Sequence, residues 1–171
     1  MKSEIKKALA IVGAFTVAAC AGVFTVIKLK QRVAQCADRR ALRKSQQGEL
    51  DAIAMYDKLA EQIKIEKDAA VFCRLSADES GHVEVFRSFT NMTLEPKQGK
   101  ATLIPLLYRI IGREKTYRLI ARGEYDAAKK YERLLSYPEV ARIQADETRH
   151  GDTVLALIGE QPITNPESDL F

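Results

Sequence analysis

Two six-residue stretches, ADESGH (Ala77–His82) and ADETRH (Ala145–His150), differ at two positions and end on the chain's only two histidines. In each, Glu and His stand three residues apart. On a helix that spacing puts a carboxylate and an imidazole on one face, a turn apart. Glu79 and His82 share their face with Phe72, Leu75, Val83 and Phe86. Glu147 and His150 share theirs with Val140, Ile143, Val154, Leu157 and Ile158. Both pairs therefore lie on faces that belong to a core.

The repetition extends upstream. GELDAIAMYDKL begins at Gly48 and GEYDAAKKYERL at Gly123, with Gly, Glu, Asp, Ala, Tyr and Leu at matching offsets. From Ser45 onward the apolar period is helical, with Ala52, Ile53, Tyr56, Leu59, Ala60 and Ile63 forming one stripe. A third helix is expected over about Arg113–Leu135. A fourth is expected to start with Pro138 in its first turn and to end near Gly159. Alternating β-branched runs are absent. The pattern predicts an all-α domain of two related helical hairpins.

On these faces Glu49, Glu79, Glu124 and Glu147 point inward with His82 and His150. A buried, unpaired carboxylate costs several kcal/mol or takes up a proton, and four together repel one another. Two divalent cations balance four carboxylates and leave the imidazoles as neutral nitrogen ligands. Mixed carboxylate and imidazole donors suit iron or manganese, whereas calcium and magnesium prefer oxygen alone. A single Glu-x-x-His commonly faces solvent. Two copies on apolar faces, using both histidines and joined by a glutamate from each remaining helix, favour a metal pair.

With these residues in place, the chain resembles the ferritin-like superfamily, and within it the rubrerythrin-like group. It is also similar to the ferritin-like domain of vacuolar-iron-transporter-type membrane proteins. The resemblance covers about Ser45–Gly159. It implies a ferritin-like four-helix bundle with a long connection between helices 2 and 3, and two iron ions, manganese being the alternative. It implies that Glu79 and Glu147 bridge the ions, with Glu49 and His82 completing one site and Glu124 and His150 the other. Rubrerythrins proper carry two cysteine pairs in a rubredoxin domain. Here Cys20, Cys36 and Cys73 are far apart. The further glutamate usual one turn after the helix-three ligand is replaced by Ala127, which brings the pattern nearer to six-ligand bacterioferritin-type and hydroxylase-type centres.

Asp78 and Asp146 each precede a candidate ligand. Each is placed to hold the imidazole of its own helix, that of the opposite hairpin, or to face solvent. Tyr56 and Tyr131 follow Glu49 and Glu124 by seven residues, read first as core tyrosines, with hydrogen bonding to ligands or a part in redox steps as the alternatives.

The N-terminus has a different character. Ala8–Ile27 is uncharged for 20 residues, roughly 30 Å as a helix, enough to cross a bilayer. Lys6 and Lys7 precede it, and Lys28, Lys30, Arg32, Arg39, Arg40, Arg43 and Lys44 follow. A transmembrane helix is expected, with the following domain cytoplasmic by the positive-inside rule. The rivals are an exported form with a cleaved signal, a lipoprotein with Cys20 in VAAC, and a buried soluble helix, against which the run is apolar on every face. The net charge of +4 is concentrated in that window, so a general nucleic-acid surface is not expected. The expected organisation is an anchor and basic segment over 1–44, a metal-binding bundle over 45–160 and a tail over 161–171. Within the connection, ATLIPLLYRIIG (Ala101–Gly112) is too apolar for a free loop. It reads as a short helix that caps the bundle or rests on a membrane.

The expected function is a membrane-anchored di-iron protein that oxidises Fe(II) or reduces peroxide or O2, drawing on an unidentified electron donor. The resemblance leaves two alternatives: a hydroxylase acting on a membrane quinone, similar to demethoxyubiquinone hydroxylases, and a non-enzymatic iron-binding module. A homodimer is compatible with the superfamily, and an anchor opposes storage in a closed shell.

Overall fold

The computed structural model describes residues 35–163. Among them there are five α-helices and no strand. Helix α1 covers 35–62 of the described residues. It is followed by α2 (Glu66–Thr90), α3 (Gln98–Ile111), α4 (Arg113–Tyr131) and α5 (Pro138–Leu157), with a 3-10 turn at Glu132–Leu134. The anchor expected at Ala8–Ile27 and tail residues 164–171 lie outside the described residues. Among the described residues no helix is long and apolar enough to cross a membrane.

Helix α1 is already formed at residue 35, ten residues before the expected onset at Ser45. The basic residues there disguise a buried pair, Ala41 and Leu42, each 3% exposed. The other helices begin and end close to their sequence signals. Pro138 opens α5, where its missing N–H costs nothing. Asn91 ends α2 in a left-handed conformation (φ 53°), its N–H bonded to Arg87 O at 2.8 Å. Gly112 (φ 84°) separates α3 from α4.

Two apolar clusters fill the interior. One gathers Tyr56, Leu59, Phe72, Leu75, Tyr117, Ile120 and Val154. The other gathers Leu42, Phe86, Tyr131, Leu134, Val140 and Ile143. Helices α1 and α5 run from the second cluster to the first, whereas α2 and α4 run from the first to the second. So α1 opposes α2, α4 opposes α5, and α2 and α4 are parallel. A parallel pair needs a return connection along the bundle, and 91–112 supplies it. Side chains of α1 hold that connection by its backbone: Gln46 Nε2 donates to Met92 O (2.9 Å), Gln47 Nε2 to Glu95 O (2.9 Å), and Lys97 N–H donates to Asp51 Oδ1 (2.7 Å).

Helix α3 seats Ala101, Ile104 and Pro105 on the bundle and leaves Leu103, Leu106, Ile110 and Ile111 exposed. The expected capping helix therefore covers the core with one face only. A separate network closes the far end. Asp68, 2% exposed, accepts from Arg113 Nε (2.6 Å) and Tyr117 OH (2.9 Å), while Arg113 Nη2 donates to Leu157 O (2.6 Å). No motif in the sequence points to this network, whose members are scattered over three helices.

Candidate metal centre

In all four helices that contribute to it, the polar centre sits between the two apolar clusters. Glu49 comes from α1, Glu79 and His82 from α2, Glu124 from α4, and Glu147 and His150 from α5. The most exposed of the six is Glu124, at 7%. Glu49, Glu79, His82 and Glu147 offer ligand atoms all within 4.8 Å of one another, and Glu79, Glu124, Glu147 and His150 do the same. Glu79 and Glu147 are common to both sets. The structure thus brings all six candidates together in two overlapping sets.

The imidazoles are oriented alike. His82 Nδ1 lies 3.0 Å from Glu79 Oε2 and 3.2 Å from Glu147 Oε1, while its Nε2 lies 3.3 Å from Asp146 Oδ2. His150 Nδ1 lies 3.1 Å from Glu79 Oε1, and its Nε2 lies 3.3 Å from Asp78 Oδ2. Each histidine thus turns Nδ1 to the centre and Nε2 to the aspartate of the opposite hairpin. With Nε2–H donated outward, Nδ1 keeps its lone pair for the centre. Arg149 joins both aspartates, 2.6 Å from Asp146 Oδ1 and 3.8 Å from Asp78 Oδ2.

The tyrosines cross over in the same way. Tyr56 OH of α1 donates to Glu124 of α4, and Tyr131 OH of α4 donates to Glu49 of α1. Both rings are buried in the clusters, so each tyrosine is a core residue and a carboxylate donor at once. Burial and the adjacent carboxylates push both hydroxyls well above the ordinary tyrosine range, so they remain neutral donors.

Protonation shows what the centre lacks in protein charge alone. Burial, reinforced by Glu147 and Glu79, pushes the Glu49 and Glu124 carboxyls well above the usual range. Burial also raises Glu147. For Glu79, burial acts in the same direction, but both imidazoles outweigh it and hold the group at about 2. His82 is pushed up to about 10, because Glu147 and Glu79 outweigh its burial. Protons and imidazolium compensate for neighbouring carboxylates. Glu147 Oε1 makes no hydrogen bond of good geometry even so, its near neighbour being His82 Nδ1 at 3.2 Å. A buried carboxylate oxygen left under-satisfied among other ligand atoms is one that a cation would satisfy. The donor set fits such cations: two dications match four carboxylates, and two nitrogen donors complete a mixed set suited to iron or manganese.

A family model described as Rubrerythrin matches residues 40–158. The chain belongs to the rubrerythrin family. That places it in the ferritin-like di-iron superfamily, and its buried carboxylate and histidine cluster fits a di-iron site. No curated protein and no solved structure matches the chain. The match includes both Glu-x-x-His motifs and both G-E-x-D-A motifs, so the rubrerythrin domain contains the whole centre.

One feature of this rubrerythrin domain is not evident from the sequence. A cavity of about 430 Å³ opens between α1 and α4 and reaches Glu49, Glu124 and Glu147. Its signal lies in the repeat, where Gly48 and Gly123, and likewise Ala52 and Ala127, recur at matching offsets.

Proposed function

We propose that the protein is a membrane-anchored di-iron oxidoreductase that couples oxidation of Fe(II), or of an electron donor, to reduction of peroxide or O2. The observation that carries this reading is the sharing of Glu79 and Glu147 between two ligand sets. Carboxylates shared by both sets would hold two ions side by side. Iron bound there would supply one electron per ion, and so the two electrons that, with two protons from solvent, convert a peroxide to two waters. The chain's own residues hold the geometry. Asp146 and Asp78 fix the imidazole tautomers, and Tyr131 and Tyr56 fix the rotamers of Glu49 and Glu124. The flanking apolar clusters lower the local dielectric and strengthen the electrostatic contacts between them. Manganese would satisfy the same donors.

Residues 8–27 supply the anchor in this reading, with the bundle on the cytoplasmic side. The test is metal content and oxidant consumption of the full chain, with Glu79→Ala as control. About two irons per chain and turnover lost in the variant support the proposal. Tight iron binding with no oxidant turnover would instead identify an iron-binding module. A second reading, oxidation of an organic membrane substrate such as a quinone, is favoured by the cavity. Consumption of O2 that depends on added quinone would select it.

A further inference from the structure

The cavity between α1 and α4 is too large for the small oxidants. A water occupies about 30 Å³ of liquid volume, and this space is about 430 Å³, within the range of sites that take organic ligands. Glycines at equivalent places in the two hairpins keep it open. A Cβ at Gly48 or at Gly123 would meet nothing within 4 Å. The walls are apolar, from Ala52, Met55, Ile104 and Leu119, and the floor is made by Glu49, Glu124 and Glu147.

The rim has the opposite charge to the floor. Lys44, Lys100, Lys130 and Arg133 line it. All four are exposed, and none forms an ion pair among the described residues. An anion is attracted to such a rim and repelled by the carboxylates below. A neutral polar molecule would find little to bond along the apolar walls. A ligand suited to all three zones has an anionic head and an apolar body that leads inward.

We propose that this cavity binds a single-chain amphiphile with an anionic head, its chain between Gly48 and Gly123 and its head on Lys44, Lys130 and Arg133. The meaning of such binding for turnover rests on the proposed function, because the chain end then lies beside the candidate metal ligands. A carboxylate and a phosphate head share this chemistry, so both are tested.

The experiment is photo-crosslinking of the iron-loaded full chain in lipid nanodiscs. The probes are octanoate, octyl phosphate and octanol, each with a diazirine near the chain end, and labelled peptides are mapped. Labelling around Met55 and Leu119 is expected at least fivefold stronger with one or both anions than with the alcohol. Whichever anion dominates identifies the head. Gly123→Leu, which puts a side chain in the path between the two glycines, is expected to abolish it. Lys130→Glu with Arg133→Glu, two surface changes, is expected to weaken it severalfold. Equal labelling by the alcohol, or labelling unchanged in both variants, overturns the proposal. Iron content is measured on the same samples. Two irons with no labelling sinks this inference alone. Anion-selective labelling without iron sinks the metal reading and leaves the amphiphile site standing.

Discussion

His82 of the first hairpin presents Nε2 to Asp146 of the second at 3.3 Å, and His150 answers it with Asp78 at the same distance. The repeat is thus expressed in three dimensions as an exchange, each hairpin orienting the other's imidazole. An aspartate that holds a ligand histidine is worth about 10–100-fold in metal affinity. Asp146→Asn is therefore expected to weaken the ion at His82 by about that factor and to spare its neighbour. Asp78→Asn should do the reverse. Metal titration that resolves two affinities will check this; equal weakening of both ions in either variant would count against separate sites.

The shared carboxylates separate two classes of variant. Glu79→Gln and Glu147→Gln each remove a ligand from both sets, whereas Glu49→Gln and Glu124→Gln each remove one from a single set. Iron per chain is expected to fall from about two toward none in the first pair and toward one in the second. Elemental analysis after reconstitution reads this directly. A uniform loss across all four would mean that the ions bind only as a pair.

The tyrosine donors are open to a stability measurement. Tyr131→Phe leaves the 3% exposed Glu49 without its hydroxyl partner. A buried acceptor left unpaired costs about 1–3 kcal/mol. Tyr56→Phe should cost a similar amount through Glu124. Denaturant unfolding of the metal-free protein is the readout, and a change below about 0.5 kcal/mol in both would show that the hydrogen bonds do not support the carboxylates.

Much of this centre is legible in the sequence because a helix converts spacing into direction. Glu79 and His82 are three apart among Phe72, Leu75 and Phe86, so their face can be read without coordinates. The exchange between hairpins cannot, because Asp146 is as well spaced for its own His150 as for His82. Only the packing of α2 against α5 decides between them. The onset of α1 is hidden because Arg39, Arg40, Arg43 and Lys44 dominate the composition around Ala41 and Leu42. The cavity is hidden because it consists of missing side chains on two facing helices. Gly48 and Gly123 carry that information, but glycines also stand in helices where no cavity lies beside them, as Gly151 does against the Tyr125 ring.

Two glycines near the histidines should respond in opposite directions to one added methyl. At Gly151 a Cβ would lie 2.9 Å from the Tyr125 ring, which is itself tied to Asp152 at 2.5 Å. Gly151→Ala is expected to destabilise by about 1–3 kcal/mol, as overpacking does. At Gly81, inside α2, a Cβ would meet nothing within 4 Å. Gly81→Ala is expected to stabilise by about 0.5–1 kcal/mol, through helix propensity. Thermal unfolding of the two variants side by side tests the packing around α5.

Metal loading should change how stability depends on pH. In the protein alone, His82 is pushed up to about 10 from an ordinary value of 6.5. Its protonated form is favoured by folding, so this contribution is complete below pH 6.5 and is lost as pH rises to about 10. His150 is raised too and acts in the same direction. Glu49 and Glu124, raised by burial, favour the folded state while protonated and lose that contribution as they ionise. Glu79 has the opposite sign. Held at about 2, it stabilises above the ordinary carboxylate range and loses this only as pH falls toward 2. The metal-free protein is therefore expected to lose stability as pH rises from the ordinary carboxylate value of 4.5, where Glu49 and Glu124 begin to count, to about 10, where the His82 contribution ends, by roughly 1 kcal/mol per pH unit for each proton lost. Bound cations replace those protons, so the loaded protein should show a flatter profile over the same window and release protons on loading. Unfolding midpoints between pH 6 and 10, with and without iron, would show it. Parallel profiles would mean that the cluster is held by its hydrogen bonds and not by its charge.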